Sequence, residues 1–290
     1  VYCFHMPAFF FISGFLEGDK RRSIGEKKQA IIKKARRLMI PYFFLTVVTA
    51  VLKMLFGVFA RNPLNYSTIV VDVLIGRNNP NGGLWFLYAL FVISFFGIIF
   101  DMMDRLILMS IMFIIYILNL FIFKQSGYII GFFFSYAWIY FMGSVVRKNI
   151  YDRVKKSKLV ISMSGISLTI AISIGYIALA YIRIYEVQTW ILSSVITVIG
   201  VFLLFIISVQ IEQHQCEKKL WMLFGDYGMD IYMIGYYVQQ AIYVIVGKIL
   251  GCNYLIYAWL MLILGLIVPV ILSKYIVRKS RVLLMLVLGR

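Results

Sequence analysis

Apolar and polar positions in this chain fall into long blocks instead of alternating at short period. Apolar runs cover about residues 1 to 16, 38 to 58, 84 to 101, 106 to 124, 128 to 146, 159 to 182, 188 to 210, 227 to 248 and 252 to 277. Apart from the shorter first run, each approaches the roughly 20 residues a helix needs to cross a hydrocarbon core. None shows the ten-residue alternation of a barrel strand, and backbone facing lipid must find its hydrogen bonds within its own segment. The pattern predicts an all-α fold: a polytopic transmembrane helical bundle of nine spans. The spans leave no stretch for a soluble domain, so residues 1–290 are expected to form a single transmembrane domain.

The connections between the runs differ in charge. Segment 17 to 37 is dense in cations, from Lys20, Arg21 and Arg22 to Arg36 and Arg37, whereas 59 to 83 has only Arg61 and Arg77. The alternation continues along the chain: "RKNIYDRVKKSK" (147 to 158) is strongly basic, the 183 to 187 connection holds Arg183 alone, 211 to 226 holds Lys218 and Lys219, and 249 to 251 holds none. Basic residues gather on cytoplasmic connections. This places segments 17–37 and 147–158 and the carboxyl terminus in the cytoplasm, in a multi-pass protein of the cell membrane. The first run then begins on the external side, and a further span before Val1, making ten, is expected. That run has no charged region ahead of it and does not read as a signal peptide. The external segment 59 to 83 carries Asn-Pro and Gly-Gly turn signals, with room for a short interfacial helix over Tyr66 to Ile75.

Composition agrees with the pattern, since 62% of residues are hydrophobic and only 14% charged. The net charge of +17 is of the kind that orients spans and attracts anionic membrane lipid, and no nucleic-acid partner is expected. Cys3, Cys216 and Cys252 have no disulfide or zinc spacing, and His5 and His214 stand far apart, so no metal is expected. No phosphate-binding loop, dinucleotide fingerprint, nucleophile elbow or zinc-protease motif is present.

Several residues carry possible chemistry. His5 is the one histidine inside an apolar run, where a neutral imidazole can take a proton from a hydroxyl, or can be a hydrogen-bonded residue near the helix end. Pro7 can kink that helix, and Ser13 and Gly14 permit close approach of a neighbour. Glu17 shares a face with Ser13 and can orient a cofactor or pair with a nearby Lys. Arg36 and Arg37, in "KKARRLMIPYFF", either hold topology at the membrane border or receive phosphate oxygens. Trp85 and Tyr88 open a span on the external side, as an interface belt or as a stacking surface for sugar. In "FGDYGMDIYMIGYYVQQ", Asp226 reads as a helix cap, Asp230 lies one turn deeper, and Gln239 and Gln240 need partners in the bundle.

Taken in order, "FHMPAFFFISGFLEG" (4 to 18), "KKARRLMIPYFF" (33 to 44), "LWFLYALFVI" (84 to 93) and "FGDYGMDIYMI" (224 to 234) resemble the acyltransferase type 3 family of integral membrane acyltransferases, which act on cell-surface carbohydrates. The resemblance implies ten spans, the first of them missing here. It also implies transfer of an acyl group, often acetyl, from an acyl-CoA donor such as acetyl-CoA to a glycan hydroxyl, with no permanently bound cofactor. On that pattern His5 and Glu17 are catalytic, Arg36 and Arg37 hold the donor, and Trp85, Tyr88 and Asp230 bind substrate. Family members carry an arginine and a histidine along the first span, and often a histidine where this chain has Gly235. A transporter or export component for polysaccharide or lipid-linked sugar is the alternative that a many-span bundle leaves open.

Overall fold

The computed structural model describes residues 5–56, 68–76, 79–122, 129–157, 160, 162–185, 190–214 and 218–290. Cys3, Cys216, Arg61, Arg77 and the first two positions expected for the interfacial helix lie outside the described residues. The helices in chain order are α1 (His5–Glu17), α2 (Ile24–Leu55), α3 (Ile69–Ile75), α4 (Trp85–Ile99), α5 (Arg105–Ile122), α6 (Ile129–Asn149), α7 (Tyr151–Lys156), α8 (Met163–Tyr185), α9 (Trp190–His214), α10 (Lys218–Ile242), α11 (Tyr254–Tyr275) and α12 (Arg281–Leu288). A π-helical stretch, Tyr243–Ile249, continues α10, and a 3-10 turn, Val277–Lys279, precedes α12. No strand occurs among the described residues. The fold is all-α, and α2, α6, α9 and α11 contain stretches long and apolar enough to cross a membrane.

Each apolar run has its helix, but two helices begin well before their runs. α2 begins 14 residues before its apolar part, so most of the basic segment 24–37 is helical instead of a loop. Its start is a capping box: the Ser23 backbone N–H and hydroxyl both donate to Glu26, at 2.8 Å each. α10 begins at Lys218, so Asp226 lies inside the helix and does not cap it; its backbone carbonyl accepts from Arg278 at 2.7 Å.

The chain divides into two compact units, residues 1–28 with 92–216 and residues 29–91 with 217–290; the division falls within α2 and α4. In the first unit α1 lies against α6 at very short range. A side chain at Gly14 would overlap the Tyr140 backbone carbonyl, and one at Gly143 would overlap that of Phe11. Ser144 Oγ donates to the Gly14 carbonyl at 2.8 Å, and Phe10 stacks on Tyr136 with ring centroids 4.8 Å apart. Small residues at a crossing are how helices associate where lipid removes the hydrophobic drive. α8 packs on α9 through Tyr176, Ile196 and Leu203, with Gln210 donating to Thr169 at 3.0 Å.

One end of this unit is ionic. Glu17 pairs with Arg22, Asp101 lies 2.6 Å from Lys27, Asp19 lies 2.8 Å from Lys148 and 3.6 Å from Arg105, and Lys155 meets Glu212 at 2.6 Å. Asp101 and Arg105 are fully buried there. Within this unit, the connections that the charge alternation assigns to one side therefore meet at one end. Gly18 ends α1 at this level in a left-handed conformation (φ 63°), which glycine adopts without strain.

In the second unit α10 packs on α11. Gly265 O lies 3.3 Å from where a Gly235 side chain would begin, and Gln239 lies against Gly265. Gly235 thus serves close helix packing here.

The segment read as an external loop enters this unit. The α3 carbonyls of Val73 and Leu74 accept from Tyr42 (2.7 Å) and Tyr88 (3.0 Å), and Asn79 Nδ2 donates to Thr46 Oγ1 at 2.7 Å. Tyr232 Oη donates to the Gly83 carbonyl. Helical rise measures the depth of these partners: at 1.5 Å per residue, Thr46 lies about 12 Å from Leu38, where the apolar part of α2 starts. On α10, Tyr232 and Tyr237 lie about 8 and 15 Å from the start of the apolar run. Tyr237 Oη lies 2.8 Å from Thr49 Oγ1, so the two rulers agree. The turn 79–83 therefore packs against the apolar parts of α2 and α10, and Trp85 and Tyr88 immediately follow it.

Candidate active site

The residues picked from sequence separate into four places. His5 occupies the first turn of α1, partly exposed, and is not without a partner. Twelve residues of helix put it about 18 Å from Glu17, in the half of the span away from the ionic end. Glu17 is engaged by Arg22, with 12% of its side chain exposed, so this helix joins an ionisable group at each end.

Arg36 and Arg37 lie on the basic part of α2 in the second unit. Gln29, Ile32, Lys33 and Arg36 line a cleft of about 270 Å³ with Gly289 from the segment after α12. Positions 29, 33 and 36 share one helix face because they are spaced four and three apart. Neither Lys33, Arg36 nor Arg37 has a carboxylate within salt-bridge distance among the described residues, whereas Arg22, Lys27, Arg105, Lys148 and Lys155 all do. The carboxylates of Asp19 and Asp104 hold the Lys148 ammonium above the usual lysine value, so in that cluster positive charge is matched. At Lys33, Arg36 and Arg37 it is available to a ligand.

The third place is the polar layer around the turn 79–83. Asn79 Oδ1 accepts from the Asn81 N–H (2.8 Å) and Asn81 Oδ1 from the Gly83 N–H (3.0 Å), which closes the turn on itself. Asn81 is 2% exposed. Tyr88 lies ring to ring with Tyr42 at 5.3 Å, and Trp85 meets Phe86 edge-on. Sequence reasoning did not single out Thr46, Thr49, Asn79, Asn81 or Tyr237. The available signal was polar residues interrupting apolar runs, since buried polar groups need partners.

The fourth is Asp230, fully buried, whose carboxylate accepts from Ser273 and from Arg278 at 2.9 Å. Arg278 also lies 3.9 Å over the Tyr227 ring. This ties α10 to the segment following α11. Among the described residues no group of three or more His, Cys, Asp or Glu side chains is placed to hold a metal ion.

A comparison with protein families matches residues 1–274 to the family described as "Acyltransferase domain". The chain belongs to the acyltransferase type 3 family. No curated protein and no solved structure matches it. The match spans both compact units, from α1 to the end of α11, and establishes the chain as a membrane acyltransferase. As a member of this family the protein has to bring an acyl donor to an acceptor nucleophile, and its side chains fit parts of that task. An imidazole in the span away from the ionic end is suited to proton transfer. A cluster of unmatched cations is suited to a phosphorylated donor.

Proposed function

We propose that the protein transfers an acetyl group, or another short acyl group, from acyl-CoA on the cytoplasmic side of the cell membrane to a hydroxyl of a cell-surface or lipid-linked glycan. The observation that carries the donor assignment is the cleft of Gln29, Lys33 and Arg36 beside Arg37, whose cations lack carboxylate partners. Acyl-CoA is a phosphate-rich donor, and guanidinium forks match phosphate oxygens.

In the reaction, His5 takes the proton of the acceptor hydroxyl as its oxygen attacks the thioester carbonyl. Collapse of the tetrahedral intermediate breaks the carbon–sulfur bond, and the proton passes to the departing thiolate. The products are the glycan ester and free CoA. Glu17, through Arg22, holds the end of the helix that carries His5. Asp230 holds α10 beneath the acceptor side, and Trp85 and Tyr88 offer aromatic faces to the sugar.

The test is transfer from radiolabelled acetyl-CoA in proteoliposomes loaded with lipid-linked glycan. Label on the glycan is expected, and His5→Ala is expected to lower kcat by about 100-fold or more with donor binding unchanged. Glycan that crosses the membrane unlabelled assigns transport instead. A His5→Ala protein that acylates at the wild-type rate removes His5 from the mechanism.

A further inference from the structure

The cleft that the donor assignment rests on is not built from α2 alone. Its remaining wall is Gly289, which follows α12 and lies beyond residue 274, where the family match stops. Gly289 has φ 65°, and a side chain there would begin 2.5 Å from both the Cα and the carbonyl oxygen of Arg37 and 2.7 Å from the Arg36 carbonyl. Both the left-handed backbone and the backbone-to-backbone contact require glycine. α12 is held for this contact at both ends. Ser280 caps its start, and Val287 and Leu288 are buried at its finish.

The docking has an electrostatic consequence. It brings Arg290 close enough to Arg37 for the two positive charges to repel, next to Gly289, which lines the cleft with Lys33 and Arg36. Arg22, Lys27, Arg105 and Lys148 are matched by carboxylates; here packing adds another cation beside Lys33, Arg36 and Arg37, which have none among the described residues. Like charges held together by packing form a site that an anion relieves.

We infer that the carboxyl-terminal helix completes the phosphate site: Gly289 seats α12 on α2, and Arg290 joins Lys33 and Arg36 in holding the phosphates of the ligand. This rests on the donor reading of the cleft. The shared chemistry is a phosphate group, carried by a CoA-type donor or by an anionic lipid headgroup. Gly289 is a positioning residue, and Arg290 contacts the ligand.

The test uses the purified protein in phosphatidylcholine nanodiscs titrated with coenzyme A, as wild type, Arg290→Gln and Gly289→Ala. Arg290→Gln leaves the glycine contact intact and is expected to weaken coenzyme A about threefold, as an exposed charge contact does. Gly289→Ala is expected to weaken it more, and unchanged thermal stability of Arg290→Gln shows that its effect is not unfolding. Both effects shrink as salt is raised. If both variants bind coenzyme A like wild type, the tail has no part in the site, although the α2 cleft reading stands. If wild type does not bind coenzyme A, the donor reading fails. Inorganic pyrophosphate and phosphatidylglycerol nanodiscs then decide the tail. Arg290-dependent binding of either probe upholds the anion site with a different occupant, and its absence overturns it.

Discussion

Gly14 and Gly143 show how much one hydrogen atom decides. Each faces a backbone carbonyl across the α1–α6 crossing, and neither carbonyl can move without shifting a helix. Gly14→Ala is expected to lower stability by about 3 kcal/mol, the upper end for overpacking. Gly25→Ala, whose new methyl meets nothing within 4 Å, is expected to be neutral or to raise stability, because alanine favours helix. Thermal unfolding of the two variants in detergent checks both directions, and equal loss would show that the crossing is looser than its geometry. The small pair in "FFFISGFLEG" signalled close packing in sequence. Its counterpart Gly143 stands in an ordinary apolar run, so only the fold joins the two.

At the scale of elements, the start of α2 was hidden by its charge. A hydropathy reading stops at the polar border, although "SIGE" is a capping-box pattern visible in sequence. The hydrogen bonds from the Ser23 N–H and hydroxyl hold Glu26 below the usual glutamate value of 4.5. A depressed carboxylate contributes stability above its unfolded value and loses it as pH falls through the folded one. Amide exchange over Ser23–Lys28, corrected for intrinsic rate, is therefore expected to quicken as pH drops below about 4.5 in wild type. Glu26→Ala is expected to exchange fast throughout, with little response to pH. A wild-type helix start that stays protected at acid pH would show that the box does not hold the helix. The same scale shows how the turn before Trp85 and Tyr88 is held: Tyr232 and Thr46 bond it, and those partners come from other helices.

For the whole molecule, charge alternation implies that the basic connections share one face of the membrane. Single cysteines introduced at Lys20, Lys156 and Lys279 are expected to react with an impermeant maleimide from the same side of oriented vesicles. Reaction of any one from the opposite side would break the topology. The sequence by itself determined the helical class, the positions of the apolar spans and the alternation of basic connections, because span length and charge are local sums along the chain. The motif set also reached the family. Only the tertiary structure decided that Asn79 and Gly83 bond Thr46 and Tyr232, that Asp230 is bound by Ser273 and Arg278, and that Gly289 rests on Arg36 and Arg37. In each of these a polar or backbone group finds a partner more than 30 residues away, and no local pattern records which distant group will satisfy it.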